Sequence, residues 1–341
     1  MKILGLDIGG ANTKYTSLDE GYGEKILEQK TIPLELYKTP ESLAPMLKKI
    51  IRDTKPTDIA ITMTAELCDI FHNRNSGVFW IIDQLYSVCA EIPLYFFSIE
   101  GGFIQPPINQ RMAPLVASAN WAATVWWLST LVEDAIVVDI GSTTTDILPI
   151  KGGKSAVLGR NDFERSRYGE LVYCGYLRTH PMAVTNSVNI DGVVTPICPE
   201  YFSTMGDLHL ILGEIDSNAY TIATPDGGPK SKRGAMARLS RLFLTDPEQL
   251  KEDQLKLIAK QIVEMHTMIL FEKIEFVATK SGLQHDPVIF IGAGKFYKER
   301  VNQWIGNRNP NRLLQSQLIG IDPSSCVALL LQSEMNNYHY R

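Results

Sequence analysis

Two short stretches of this sequence combine residue types suited to holding phosphate. The first, Gly5-Leu-Asp-Ile-Gly-Gly-Ala-Asn-Thr-Lys, contains Asp7, Gly9, Gly10, Asn12, Thr13 and Lys14. The second, Val138-Asp-Ile-Gly-Ser-Thr-Thr-Thr-Asp, contains Asp139, Gly141, Ser142, Thr143 and Thr144. Glycines let a backbone approach a ligand closely, and successive N–H groups form an anion-binding concavity. The hydroxyls of Thr13, Ser142, Thr143 and Thr144 add donors, and Lys14 adds positive charge. Asp7 and Asp139 stand at strand ends, where a carboxylate can hold hydrated Mg2+. One such turn is an ordinary hairpin. Two copies sharing Asp-Ile-Gly favour a phosphate site.

The elements around these turns read as follows. An almost continuous apolar strand over 2–8 precedes the first turn, and strands over 14–18 and 25–32 follow it. A helix starts at Pro40, and a buried strand spans 58–62. A helix over 79–88, a strand over 94–99 and one uncharged helix over about 113–131 complete the first half. In the second half an apolar strand over 135–140 meets the second turn, and a strand over 146–150 leaves it. Strand, turn, strand thus occurs twice, as an internal duplication. The region from about 161 to 221 is irregular, with short strands near 188–194 and a helix over 203–212. A long helix starts at Asp246-Pro247, with Leu255, Ile258, Ile262, Met265 and Ile269 on its apolar face. A strand over 287–291 runs into Gly292-Ala-Gly294-Lys295, and Ser324-Ser325 caps a last helix.

Other polar residues bear on function. Glu66 follows a buried strand, at the end that opens on a ligand crevice in α/β sheets. Asp207 faces away from the stripe Met205/Leu208/Leu212, toward a cleft or water. Lys230, Lys232 and Arg233 form a solvated cluster. Gly292-Ala-Gly294 is no P-loop, since Phe296 stands where Ser or Thr would be; alone it signals tight strand–helix packing. The histidines lack HxH or HExxH spacing, so no zinc site is assigned.

Composition narrows the function. Lys and Arg number 33 against 38 Asp and Glu, so the chain is mildly acidic, without basic runs, which argues against nucleic-acid binding. Five cysteines at wide spacing form no CxxC pair and read as buried thiols of a reducing cytoplasm. Residues 112–132 carry no charge over a membrane-spanning length, but Pro114, Asn120 and several hydroxyls favour a packed helix. A soluble protein without signal peptide or membrane association is expected.

The order Asp7-Ile-Gly-Gly, Asp139-Ile-Gly-Ser-Thr-Thr and Gly292-Ala-Gly resembles the phosphate-1, phosphate-2 and adenosine motifs of the actin/hexokinase/Hsp70 superfamily. The resemblance spans nearly the whole chain. More narrowly it is to the hydantoinase/oxoprolinase-like branch, and within it to proteins linked to tetrahydromethanopterin-dependent one-carbon transfer. Thr64-Ala-Glu-Leu, Ala119-Asn-Trp, Gly169-Glu-Leu-Val-Tyr-Cys-Gly, Arg178-Thr, Met205-Gly-Asp and Gly234-Ala-Met-Ala-Arg-Leu carry it.

That resemblance implies an α/β, duplicated actin/hexokinase-like (ribonuclease H-like) fold of two domains with a central cleft. The domains are expected at 1–132 and 133–341, with an insertion over about 160–230 and a final helix over 324–335 that packs back on the first domain. It further implies methanofuran biosynthesis: an aminomethylfuran diphosphate joined to γ-glutamyltyramine as an aryl ether, releasing diphosphate. Asp7, Asp139 and Glu66 are then the expected catalytic residues, with Mg2+ on Asp7 and Asp139. The two turns would hold diphosphate. Arg167, Glu170, Arg178, Asp207, Gly292 and Gly294 would form the acceptor or nucleotide-like pocket, the arginines meeting glutamyl carboxylates. The partners are small-molecule diphosphate and phenolic amine substrates. Two alternatives stay open: an ATP-dependent kinase or hydantoinase-like phosphoryl transferase, and a nucleotide-binding scaffold without catalysis.

Overall fold

The computed structural model describes residues 1–19, 25–89, 91–305, 318 and 320–339. The chain forms two compact units. The first comprises Met1–Glu133, Gly152–Ser155 and Leu313–Arg341; the second comprises Asp134–Lys151 and Ala156–Arg312. This differs from a single border at 132/133, because the segments 152–155 and 313–341 belong with the first unit.

The first unit is built on strands β1 (Lys2–Ile8), β2 (Asn12–Asp19), β3 (Lys25–Pro33), β4 (Asp58–Met63), β5 (Leu94–Phe97) and β6 (Phe103–Ile104), in the sheet order β3-β2-β1-β4-β5-β6. β1 runs antiparallel to β2 and parallel to β4. Helix α1 (Leu43–Thr54) buries Leu43, Leu47 and Ile50, spaced at helical intervals, and ends at Lys55 with φ 49°. Helix α2 (Arg74–Cys89) follows β4. Leu4, Leu6 and Ile8 of β1 share one core with both helices.

The uncharged stretch is not one helix. It forms α3 (Ala113–Val116) and α4 (Asn120–Ser129), separated by Ser118 with φ 48°. A non-glycine residue with positive φ is disfavoured and stays there only when its surroundings hold it.

In the second unit, strands β7 (Ala135–Ile140) and β8 (Thr145–Lys151) form the hairpin around the second turn; the short β9 (Lys154–Ser155) at its tip counts with the first unit. Helix α5 (Asp162–Tyr168), β10 (Leu171–Val172) and the two-stranded β11 (Ser187–Ile190) and β12 (Val193–Pro196) follow. Helices α6 (Met205–Leu212), α7 (Lys232–Arg241) and α8 (Glu252–Ser281) lead to β13 (Val288–Ile291) and α9 (Lys298–Ile305). The main sheet runs β10-β8-β7-β13, with β13 parallel to β7. The α8 face that packs on the core follows Leu255, Ile258, Ile262, His266, Leu270 and Ile274, whereas Met265 is exposed. Spacings of four after Ile262 keep one stripe inward over this length, so the expected Met265/Ile269 continuation turns outward.

The last helix, α10 (Pro323–His339), packs on β1. Gly5 permits this: a Cβ there would meet the Ser324 carbonyl oxygen at 2.0 Å. Its start is capped by Asp322, which accepts from the Ser325 amide at 3.0 Å, so the serines expected as the cap lie just inside the helix. The same sheet core occurs in each unit, β2-β1-β4 in the first and β8-β7-β13 in the second, an antiparallel hairpin extended by a parallel strand, in line with the expected duplication. Among the described residues no helix is long and apolar enough to cross a membrane.

Candidate phosphate-binding site

The two turns have matching backbones. Gly9 N–H donates to the Asn12 carbonyl at 3.0 Å, and Gly141 N–H to the Thr144 carbonyl at 2.9 Å. Asp7 pairs across its hairpin with Lys14, and Asp139 with Asp146, seven positions on in both cases. Behind the first turn the Gly10 and Ala11 carbonyls accept from the Leu36 and Leu34 amides at 2.9 and 3.0 Å. Behind the second, Gly141 accepts from Tyr176, and Ser142 from Leu177 and Arg178, at 3.1, 3.2 and 2.9 Å.

This fastening aims the donors. In a planar trans peptide the N–H points opposite the C=O. With the carbonyls of Gly10 and Ser142 held from behind, the amides of Ala11 and Thr143 face the other way. Neither donates a backbone hydrogen bond among the described residues. Each turn is thus a small concavity of N–H groups, able to accept an anion.

Glycine is required where the chain comes closest. A Cβ on Gly9 would meet the Asn12 carbonyl oxygen at 2.6 Å, and one on Gly175 would meet the second turn's backbone at 2.6 Å. Gly292 has φ 78°, and a Cβ there would lie 2.2 Å from Asp139 Oδ1. Gly294 donates its amide to the Ile140 carbonyl at 2.9 Å and packs against that side chain. Gly292 and Gly294 therefore bring the end of β13 onto Asp139 and the end of β7. Tyr297, just beyond, anchors this loop: its hydroxyl bonds His209 Nε2 at 2.8 Å and His266 Nδ1 at 2.6 Å. His209 Nδ1 in turn meets Glu214 at 2.6 Å. Burial pushes His266 down to about 3, so it is neutral.

The electrostatics of the two turns differ. Lys14 Nζ lies 3.6 Å from Asp7 Oδ2, and Asp7 is nearly buried. At the position equivalent to Lys14 stands Asp146, which Arg165 meets at 2.7 Å; Arg165 is 1% exposed. Asp139, Ser142, Thr143 and Thr144 are half-buried and remain accessible.

Several expected site residues have other work. Thr13 is fully buried. It pairs with Ile8 and so points to the face opposite Lys14, into the core. Glu66 is 1% exposed and accepts from Ser118 Oγ at 2.7 Å, which places it inside the first unit rather than at a surface. Glu170 is 2% exposed and takes the amides of Leu158 and Gly159 at 2.6 and 2.9 Å, fixing the loop before α5. Burial holds its carboxyl above the usual range. Arg167 is exposed, 5.6 Å over the Phe163 ring. Asp207 is fully buried, bound by Arg238 Nε and Nη2 at 2.9 and 2.7 Å, and it caps α6 through Ser203 and the Thr204 amide. Glu170, Arg167 and Asp207 thus do not form one acceptor pocket. The cluster at 230–233 includes an exposed Lys232–Glu252 pair.

Three features of the site escaped the sequence: Ser118, the Asp146–Arg165 pair and the fastening of the second turn by Tyr176–Arg178. Only Asp146 left a local signal, as the acid at the place of Lys14 in the repeat.

The hydantoinase/oxoprolinase model matches residues 58–309. The chain belongs to the hydantoinase/oxoprolinase family. Within it, a Methanocaldococcus jannaschii relative is 33% identical over 98% of each chain. A Methanococcus vannielii relative is 32% identical over 60% of this chain and 93% of its own. Both are named (4-{4-[2-(γ-L-glutamylamino)ethyl]phenoxymethyl}furan-2-yl)methanamine synthase. The ROK family glucokinase of Streptomyces griseus, solved with glucose and AMPPNP, aligns at 14% identity and TM-score 0.47, over 97% of this chain and 99% of its own. In this family member the segments Met205-Gly-Asp and Gly234-Ala-Met-Ala-Arg-Leu supply the two ends of the buried Asp207–Arg238 pair.

Proposed function

We propose that this protein is the synthase of an aryl ether in methanofuran biosynthesis, a transferase that joins an aminomethylfuran diphosphate to γ-glutamyltyramine. The carrying observation is the 33% identity, over nearly the whole of both chains, to a synthase whose named product is a phenoxymethylfuran. A phenoxymethyl group is the ether that results when a tyramine phenol takes a furan-bound CH2. The anion-binding turns support diphosphate as the leaving group.

The chemistry balances without nucleotide. The bond between the furanyl CH2 and diphosphate breaks, and its electron pair leaves with the diphosphate. The furan oxygen stabilises positive charge developing at that carbon. The phenol oxygen forms the new C–O bond and gives up its proton. A turn of inward-facing N–H groups stabilises negative charge on the departing diphosphate, which is where preorganised donors act most strongly. Hydroxyls of Ser142, Thr143 and Thr144 add donors at the second turn.

Mg2+ fits the donor set. Among the described residues no three acids, histidines or cysteines cluster as a metal cage. Mg2+ is commonly held by one or two carboxylates together with phosphate oxygens and water. At each turn the aspartate, Asp7 at the first and the half-buried Asp139 at the second, would be the protein ligand of such an ion, which would neutralise diphosphate charge.

Purified protein is incubated with Mg2+, the furan diphosphate and γ-glutamyltyramine, and product mass and released diphosphate are followed. Ether and diphosphate should appear in equal amounts without ATP. A strict ATP requirement would replace this reading with the phosphoryl-transfer alternative.

A further inference from the structure

We infer that Arg178 belongs to the diphosphate donor's site, where it supplies at the second turn the positive charge that Lys14 supplies at the first. The inference rests on the proposed reaction and assigns Arg178 to the donor instead of the acceptor.

The duplication exposes a missing charge. Lys14 extends from the strand that leaves the first turn, opposite Asp7. The same position at the second turn is Asp146, an acid, opposite Asp139. Arg165 does not fill the gap: it is buried and committed to Asp146 and to the Glu170 carbonyl, at 2.7 and 3.0 Å. A turn that is to hold a diphosphate therefore needs a cation from another element.

Arg178 is placed to provide it. Its amide bonds the Ser142 carbonyl at 2.9 Å, so its Cα is fixed beside the turn. Gly175 lets this segment lie directly on the turn, since any Cβ there would collide with the backbone of residues 141–143. Thr179 locks the bend by bonding both the amide and the carbonyl of Gly175, at 2.7 and 2.9 Å. Among the described residues the Arg178 guanidinium forms no ion pair, and its buried Nε has no hydrogen-bond partner. A buried donor left without an acceptor is destabilising, so the site favours a ligand that supplies one. A phosphoryl oxygen is an acceptor of the right charge, and the planar fork of arginine binds phosphate bidentately.

The test uses the full-length protein, inorganic diphosphate and Mg2+ in calorimetric titrations, with Arg178→Gln and Arg178→Lys beside the parent. Thermal unfolding confirms that each variant is folded, and the lysine variant keeps both the charge and the backbone bond to Ser142. Arg178→Gln should weaken diphosphate binding about 10- to 100-fold, the range for a lost charge-assisted hydrogen bond. Arg178→Lys should recover part of it. In steady-state assays KM for the furan diphosphate should rise while KM for γ-glutamyltyramine stays at the parent value.

Unchanged diphosphate binding in Arg178→Gln, or a rise confined to the γ-glutamyltyramine KM, overturns the inference; the second result returns Arg178 to the acceptor. Absence of diphosphate binding in the parent overturns it as well. If diphosphate binds through Arg178 but no ether forms, the proposed substrates fall and this assignment stands. If ether forms and the variants bind diphosphate like the parent, the reverse holds.

Discussion

In the first unit the peptide between Gly10 and Ala11 is fastened by the amide of Leu36; in the second the peptide between Ser142 and Thr143 is fastened by the amide of Arg178. The hydrogen-bond geometry is the same, and the side chains it delivers are opposite in kind. Leu36 disappears into the core, while Arg178 carries a guanidinium whose buried Nε has no hydrogen-bond partner among the described residues. The charges opposite the aspartates are exchanged in the complementary sense, Lys14 in one hairpin and Asp146 in the other. The two turns share one backbone hydrogen-bond pattern, while the residue opposite the aspartate changes from a cation to an acid and the fastening residue from leucine to arginine.

The largest effect should come from breaking the pair that occupies the second hairpin. Asp146→Ala deprives Arg165, 1% exposed, of its carboxylate. Removing one partner of a buried pair costs about 3–5 kcal/mol. Lys14→Ala removes a partner at 3.6 Å that is about one-third exposed, and it should cost under about 1 kcal/mol. Denaturant titration of both variants measures the contrast. Equal losses would mean that the two hairpins are held by equivalent electrostatics.

Next in size is the asymmetry between the aspartates. Asp139→Asn should lower kcat about 10²- to 10³-fold, the usual range for a charged group acting at a transition state. Asp7→Asn should lower it less, because Lys14 already meets the Asp7 carboxylate. Single-turnover rates with saturating donor decide this. A larger loss from Asp7→Asn would make the first turn the dominant one.

A smaller effect is expected at Gly292. In Gly292→Ala the new methyl meets Asp139 Oδ1 at 2.2 Å and φ stays near 78°. The strain should cost about 1–3 kcal/mol. Because relief of that strain displaces Asp139, kcat should fall together with the thermal midpoint. A stable variant of full activity would separate the third glycine loop from the second turn.

What could be read from the sequence was local. Each turn, its aspartate and the seven-residue spacing to the opposite strand are contiguous, so the duplication and the sheet cores around it were legible. The break at Ser118 was not, because an uncharged run from 113 to 131 has helical character throughout and only the distant Glu66 reveals why the chain turns there. Asp207 and Arg238 lie 31 positions apart, and an acid on a helix gives no sign of a partner at that distance. The same holds for Glu170, whose partners are backbone amides that carry no sequence signature. Thr13 was misplaced for a different reason. It reads as the last residue of a hydroxyl-rich turn, but β2 already begins at Asn12, and strand alternation then turns Thr13 away from Lys14.

Thr13 and Thr145 give the smallest and sharpest contrast between the turns. They are equivalent by register, Thr13 opposite Ile8 and Thr145 opposite Ile140, and both are fully buried. Thr145 donates to the Cys174 carbonyl at 2.7 Å, which ties the start of β8 to the segment that fastens the second turn. Among the described residues Thr13 Oγ1 is buried without a hydrogen-bond partner. Valine replaces the hydroxyl by a methyl at nearly constant volume. Thr145→Val should therefore lose about 1 kcal/mol and leave an unpaired carbonyl, whereas Thr13→Val should be neutral or stabilising by up to about 1 kcal/mol. Diphosphate affinity should not change in Thr13→Val, since that hydroxyl faces the core of the first unit. A tenfold weaker diphosphate in Thr13→Val would show instead that the first turn opens to present Thr13, and that the resting conformation of this hairpin is not the one that meets the ligand.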